Sequence, residues 1–501
     1  MTDASAQLAR EAPPRRYFPY VTGLSAQRII EVVALRLAPA ATGAAIVYSH
    51  LESEWQGLLV FASILAVVSL LRRSRYPLHL IPFASAVLYL IAPPAGAVIA
   101  MLITSLDGDR VSDLTADEMV APVLAAWLVT GLGAWLTLNF RRDREVRIGV
   151  IGTHEFARSL EAELKAVGVK GYRVVGCIDP EESCATDTVA GVRCFGSMVL
   201  LRHTVLEHGL ELLVLGPLSP AAAEAADHEF KGAGPSRLDV FEAVAEGCLD
   251  LPVSLIEAGQ LYEQLFGHVP LGTTTSAWFQ YLLHPDFKGS WPISKRLLDL
   301  GVGLLAGMIA APIVAISALA IKLSDGGPIF YRQTRVGARG HEFQLLKLRT
   351  MHRDADAVGA GEDQVTMVGR LLRRLHINEL PQIWQVLKGE MSLVGPRPEI
   401  PDIVASLEAR FTYYDRRHLL KPGITGWAQV RCGYSGTLIG EAWKLCHDLY
   451  YLKRRSLFFD LLILLETTST IVVPEPINRP DERFIVSARS DEEIPATLEA
   501  T

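Results

Sequence analysis

The chain has 501 residues, half of them hydrophobic, with mean hydropathy +0.25 and a formal net charge of −7 at neutral pH. That apolar balance excludes an ordinary soluble enzyme, the length accommodates several domains, and the acidic balance argues against a nucleic-acid partner. Six cysteines (Cys177, Cys184, Cys194, Cys248, Cys432 and Cys446) show neither a CxxC pair nor metal-ligand spacing, so reduced thiols are expected.

Residues 1–27 read as a cytoplasmic tail containing Arg15 and Arg16, with no cleavable signal pattern. Four apolar stretches follow at 29–48, 57–71, 80–104 and 120–140. Each approaches the ~20 residues that a spanning helix needs, which predicts a four-helix transmembrane bundle over 28–144. Arg15, Arg16, Arg28, Arg72, Arg73, Arg75, Arg141, Arg142 and Arg144 lie on one side. Glu52, Glu54, Asp107, Asp109, Asp113, Asp117 and Glu118 lie on the other. Positively charged loops stay inside, so both ends of the bundle are expected in the cytoplasm.

From Val146 the pattern changes to strands alternating with helices. Val146–Ile151 reads as a strand, 155–167 as a helix, Tyr172–Ile178 as a strand and 210–216 as another. This predicts a Rossmann-like α/β domain over 145–260. Its dinucleotide fingerprint is incomplete: Gly152 fits the first glycine, His154 stands at the second and Ala157 at the third. A side chain at the second position obstructs a pyrophosphate, so a regulatory or scaffolding domain is expected. A connecting segment is expected over 261–290.

The stretch 297–323 is long enough to span, yet Lys295 and Arg296 precede it while Lys322, Arg332 and Arg335 follow it. Pro312 removes a backbone donor in mid-helix. A helix–break–helix entering and leaving on the cytoplasmic side satisfies both facts, and a kinked span is the alternative. Beyond it, Lys347 and Arg349 are candidate contacts to phosphate or uridine, or parts of a basic face on anionic lipid. Amphipathic runs at 413–420 and 449–459 combine aromatic and basic residues, which predicts interfacial helices. Residues 476–501 read as a flexible acidic tail.

The chemistry concentrates around His376-Ile377-Asn378-Glu379-Leu380-Pro381-Gln382. Asn378 suits a helix N-cap and Pro381 the first turn. Leu380, Ile383, Trp384 and Leu387 repeat as one apolar face, and Gly389 suits the stop. Glu379 is thereby expected at a helix N-terminus, a position that favours phosphate. Arg373 and Arg374 lie one turn earlier, and Arg397 lies between Pro396 and Pro398. Carboxylate, helix end and guanidinium groups together point to phosphate chemistry.

Over roughly 290–475 the chain resembles the bacterial polyprenyl-phosphate hexose-1-phosphate transferases. The residues that carry the resemblance include Lys295-Arg296-Leu297-Leu298-Asp299, Gly327-Pro328-Ile329-Phe330-Tyr331, Arg335-Val336-Gly337 and Lys347-Leu348-Arg349-Thr350-Met351. They continue with Glu379-Leu380-Pro381-Gln382, Met391 to Pro398, Gly423 to Val430 and Asp448-Leu449-Tyr450-Tyr451. The resemblance implies a mostly helical transferase domain over 291–475 with a re-entrant membrane helix broken at Pro312. It places the whole as a multi-pass protein of the bacterial inner membrane, with N-terminus and catalytic domain cytoplasmic.

The implied reaction moves hexose-1-phosphate from a UDP-sugar to polyprenyl phosphate, the first membrane step of exopolysaccharide or O-antigen synthesis. Glu379, Asn378 and Arg373 would be catalytic, with Glu379 the ligand of Mg²⁺. Arg397, Lys347, Arg349 and Pro396 would form the phosphate and substrate site. Expected partners are thus a UDP-sugar, polyprenyl phosphate and membrane lipid, and a homo-oligomer is compatible with this organisation.

One residue departs from the family's pattern. The family usually has Asp-Glu where this chain has Asn378-Glu379, and that Asp is taken as the nucleophile. An amide forms no aspartyl phosphate. Three readings stay open: direct attack of the lipid phosphate, another carboxylate (Asp354, Asp356 or Asp363) as nucleophile, or a catalytically silent membrane scaffold.

Overall fold

A computed structural model describes residues 145–167, 169, 171–178, 192–195, 200–216, 244–271, 291–352, 364–411, 413–432 and 438–472. The N-terminal tail, the four expected spans, residues 272–290, Asp354, Asp356, Asp363 and the C-terminal tail lie outside the described residues.

The first part alternates strand and helix as its sequence requires. β1 (Val146–Ile151), α1 (His154–Ala166), β2 (Tyr172–Ile178), β3 (Arg193–Cys194), α2 (Leu201–His208), β4 (Leu212–Leu215), β5 (Ser254–Glu257) and α3 (Ala258–Leu265) follow in order. The strands form one parallel sheet in the order β3-β2-β1-β4-β5. β1 and β4 are near-continuous apolar runs because helices cover parallel sheets on both faces. Ile148, Val150, Phe156, Leu160, Val214, Leu261 and Tyr262 fill the core. The Thr153 hydroxyl caps α1, accepting from Phe156 N at 3.4 Å.

The second part starts with α4 (Trp291–Asp325), 35 residues long. At 1.5 Å per residue it measures roughly 50 Å. Among the described residues it is the one helix long and apolar enough to cross a membrane. Leu297, Leu304, Leu305, Met308, Ile309, Ile316, Leu319 and Leu323 are all exposed on it. Pro312 lies inside this helix and not between two helices, so the helix runs on through the break expected there. Proline removes only its own donor, and turns on either side keep the remaining backbone bonds.

Then come β6 (Phe330–Val336) and β7 (Glu342–Leu348), paired antiparallel, followed by α5 (Met367–Arg374), α6 (Gln382–Lys388), β8 (Ser392–Val394) and α7 (Pro401–Arg410). β9 (Gly423–Thr425) pairs parallel with β8, and α8 (Trp427–Cys432), α9 (Leu438–Arg454) and α10 (Leu457–Val472) complete the described chain. α6 lies on α4 where Gly303 and Gly307 leave room: a Cβ on Gly303 would stand 3.3 Å from Leu387, and one on Gly307 3.6 Å from Ile383. The foot of α4 is tied inward. Buried Lys295 reaches Asp460 on α10 at 2.6 Å and Asp299 at 3.3 Å, and Asp299 accepts from Ser392 Oγ and Leu393 N, both at 3.1 Å.

In the runs 413–420 and 449–459, expected as interfacial helices, Tyr414, Arg417, Leu449, Tyr450, Tyr451 and Phe459 are buried against protein. The start of the expected connector is also packed. Trp427 Nε1 donates to Gly267 O at 2.6 Å, Val269 N to Cys446 O at 3.1 Å, and buried Glu263 pairs with Lys453 and, at 3.0 Å, Arg454. A charged aromatic segment can satisfy its polar ends with internal partners as well as with water, and here internal partners win.

Candidate active site

The site is assembled from short elements. After α5 the chain turns at His376 in left-handed backbone (φ +54°), makes a single 3₁₀ turn over Ile377–Glu379, and enters α6 only at Gln382. Asn378 is therefore inside the 3₁₀ turn and not the expected N-cap. Pro381 occupies the cap position, with no side-chain cap bond. The stop is as the sequence suggests: Gly389 takes left-handed backbone at φ +90°. Ile383 is buried with Val386, but Trp384 is 58% exposed, outside the expected apolar face, and carries Lys388 over its ring.

Glu379 is held by cations, not by a helix end. Its Oε1 accepts from Lys347 Nζ at 3.0 Å and from Arg397 Nη2 at 3.1 Å. Burial pushes its carboxyl up, but Arg397 and Lys347 together override this and hold it down at about 2. Burial is also the main influence on Lys347, pulling its ammonium below its ordinary value, with Glu379 pulling the other way. The carboxylate is thus ionised at neutral pH, facing two cations.

Arg335, Leu345, Lys347, Gln382, Arg397, Pro398 and Gly423 line a small cleft at this point. Three cations gather here, Lys347 and Arg397 around Glu379 and Arg335 beside Glu399 at 3.3 Å. That balance suits a phosphate-bearing ligand. Pro396 and Pro398 fix φ on either side of Arg397. Among the described residues no three His, Cys, Asp or Glu side chains gather as a metal cage.

The other residues expected at the site stand elsewhere. Arg373 is exposed, and its Nε donates to Thr350 Oγ1 at 2.9 Å. Arg349 is buried and fully engaged: it pairs with Asp325 through both terminal nitrogens and donates to Pro328 O (2.6 Å) and Met351 O (3.1 Å). It closes the end of α4 instead of lining the cleft. Lys347 and Arg349 are two residues apart along one extended stretch, in which Arg349 N still donates to Ile329 O at 2.9 Å, but Lys347 meets Glu379 whereas Arg349 is taken by Asp325. Arg335, Gln382 and Gly423 were given no site role by sequence; their signal was their place in the matching motifs.

Cations gathered around one carboxylate in a cleft make a site suited to a phosphorylated ligand. The profile of the bacterial sugar transferase family matches residues 291–474, and the chain belongs to that family. It is 40% identical over 183 residues to UDP-N-acetylgalactosamine-undecaprenyl-phosphate N-acetylgalactosaminephosphotransferase of Aeromonas hydrophila, covering 36% of this chain and 43% of that protein. It is 42% identical over 190 residues to UDP-glucose:undecaprenyl-phosphate glucose-1-phosphate transferase of Caulobacter vibrioides, covering 36% and 71%. It is 38% identical over 199 residues to the uncharacterized sugar transferase EpsL of Bacillus subtilis, covering 38% and 96%.

Proposed function

We propose that this protein transfers hexose-1-phosphate from a UDP-sugar to a polyprenyl phosphate, the first membrane step of a surface polysaccharide. The observation that carries this is the Lys347–Glu379–Arg397 triad at the cleft, within the matched domain. In the reaction the new bond forms between an oxygen of the lipid phosphate and the sugar-bearing phosphorus. The bond from that phosphorus to the UMP oxygen breaks, and UMP leaves with the electron pair. Lys347 and Arg397 hold phosphate oxygens and offset the charge that grows on the leaving UMP.

Glu379, ionised, partly accessible and the single carboxylate of the triad, is the residue that would hold a hard divalent ion. When bound there, Mg²⁺ would supply neutralisation of the diphosphate's charge. With Asn378 in the 3₁₀ turn, we read the step as direct attack by the lipid phosphate. Asn378 is also the one feature that favours the second reading, a catalytically silent scaffold.

The membrane-facing parts follow the same reading. Both flanks of α4 are basic, so both its ends are taken as cytoplasmic and the helix as re-entrant, with Pro312 as the place where it would bend in the membrane. Met367, Leu371 and Leu375 line an exposed face on and just beyond α5 beside Arg370 and Arg374, which suits the head-group plane. The strand order of the α/β part supports a Rossmann-like domain, and His154 at the second glycine position of its fingerprint supports a regulatory or scaffolding role for it. The four-helix bundle over 28–144 and the multi-pass inner-membrane placement rest on the apolar stretches and their charge flanks.

The test is UMP release by the purified full chain given undecaprenyl phosphate with UDP-glucose or UDP-N-acetylgalactosamine. Release with one of them is expected, with Asn378→Asp no more than equal to the native protein and no phosphorylated carboxylate on the native chain. A phosphorylated native carboxylate refutes direct attack, and absence of release with a broad UDP-sugar panel favours the scaffold.

A further inference from the structure

The loop that presents Arg397 is anchored in an unusual way. Its neighbours Pro396 and Pro398 have no N–H to donate, so the backbone there is fixed chiefly through carbonyl oxygens. Each of three successive carbonyls accepts from a different part of the chain. Pro396 O accepts from Gly423 N on β9 at 2.9 Å, Arg397 O from Arg417 Nη2 at 3.1 Å, and Pro398 O from Arg335 Nη1 at 3.0 Å.

The middle donor is the exceptional one. Arg417 is 3% exposed and its Nη2 also pairs with Asp448 Oδ2 on α9 at 2.7 Å, Asp448 being 2% exposed. Its Nη1 donates to the buried Tyr414 hydroxyl, and its guanidinium lies over the Tyr414 ring at 5.0 Å. Burying an ion pair to this extent costs desolvation that packed apolar side chains would avoid, so stability alone is a poor reason for it. What the pair gains is a rigid, charged donor aimed at the backbone of the residue that pairs with Glu379.

We propose that Arg417, held by Asp448, is a positioning residue for Arg397: it fixes the backbone from which the Arg397 guanidinium reaches the cleft. This rests on the reading of Arg397 as a phosphate-binding residue. Lysine at 417 keeps a positive charge for Asp448 but loses the fork that lets one guanidinium serve Asp448, Tyr414 and Arg397 O together.

The experiment is a double-mutant cycle on the full chain, measuring kcat and KM for UMP release. The variants are Arg417→Lys, Arg397→Lys and the two combined. Arg397→Lys is expected to lose about 100-fold in kcat/KM, and Arg417→Lys about 10-fold, since small displacements of a positioned group cost that much. The double variant is expected to match Arg397→Lys alone within about threefold, because once Arg397 is gone there is nothing left to position. Multiplied losses in the double variant, or an Arg417→Lys protein with native kinetics, overturn the proposal. Native activity of Arg397→Lys would instead sink the reading of the site itself.

If Arg417→Lys does not fold, Arg417→Met with Asp448→Leu replaces it in the cycle, because exchanging both partners of a buried pair for apolar groups is commonly neutral for stability. A stable Arg417→Met/Asp448→Leu protein with the 10-fold loss, absent when Arg397→Lys is added, supports positioning. The same protein with full activity refutes it.

Discussion

Glu379→Gln is the most informative single change at the cleft. The side chain keeps its size and an accepting oxygen, but the charge facing Lys347 (3.0 Å) and Arg397 (3.1 Å) is removed. Depression of the carboxyl from 4.5 to about 2 corresponds to about 3 kcal/mol of preference for the ionised form. The carboxylate's folded-state value is lowered, so this contribution is complete above its ordinary value and is lost as pH falls through about 2. At pH 7 it is fully present in the native protein and missing from the glutamine variant. A lower melting temperature at pH 7 is therefore expected, with the gap to native closing toward pH 2–3.

The same change acts on Lys347. Burial lowers its ammonium and Glu379 offsets that. Without the offset Lys347 loses its proton at lower pH, so the alkaline limb of the kcat/KM profile moves to lower pH. Loss of a charged group at the phosphate centre is expected to reduce UMP release at least ~100-fold. Full release by a folded Glu379→Gln protein would refute the site, and an unmoved alkaline limb would refute the coupling to Lys347.

Three further outcomes are expected. Ser324 is exposed at the end of α4, so a Ser324→Cys variant in intact cells should escape a membrane-impermeant thiol reagent that reaches periplasmic residues; labelling would place that end outside. A Cβ on Gly369 would run into the backbone carbonyl of Thr350, which also accepts from Thr366 N at 3.0 Å. Gly369→Ala should cost about 1–3 kcal/mol, read as an earlier thermal transition, and an unchanged transition would show that the two segments are free to separate. His154 begins α1 with Nε2 at 3.1 Å from Val192 O, so extracts of the denatured protein should contain no stoichiometric nicotinamide nucleotide by mass spectrometry; one equivalent would reverse that view of the α/β part.

What the sequence determined by itself was local. The short apolar runs at Val146–Ile151 and Tyr172–Ile178, the turn glycine Gly389 and the apolar length of α4 each depend on neighbours in the chain, and each stands in the structure where its pattern puts it. The motif around Glu379 was legible for a related reason: it is short and contiguous, and Lys347 and Arg397 lie in motifs of the same family.

Tertiary structure decided which charges meet. Arg373 is six residues from Glu379 in sequence yet bonds Thr350, whereas Lys347 is thirty-two away and bonds Glu379. Arg349 is claimed by Asp325 at the end of α4. The runs around Tyr414 and Tyr450 have the composition of interfacial helices, because composition is the same whether a tyrosine or arginine finds its polar partner in water or in protein. Only the fold brings Asp448 to Arg417, and Arg417 to the carbonyl of Arg397; pairing across such separations leaves no periodic trace in the chain.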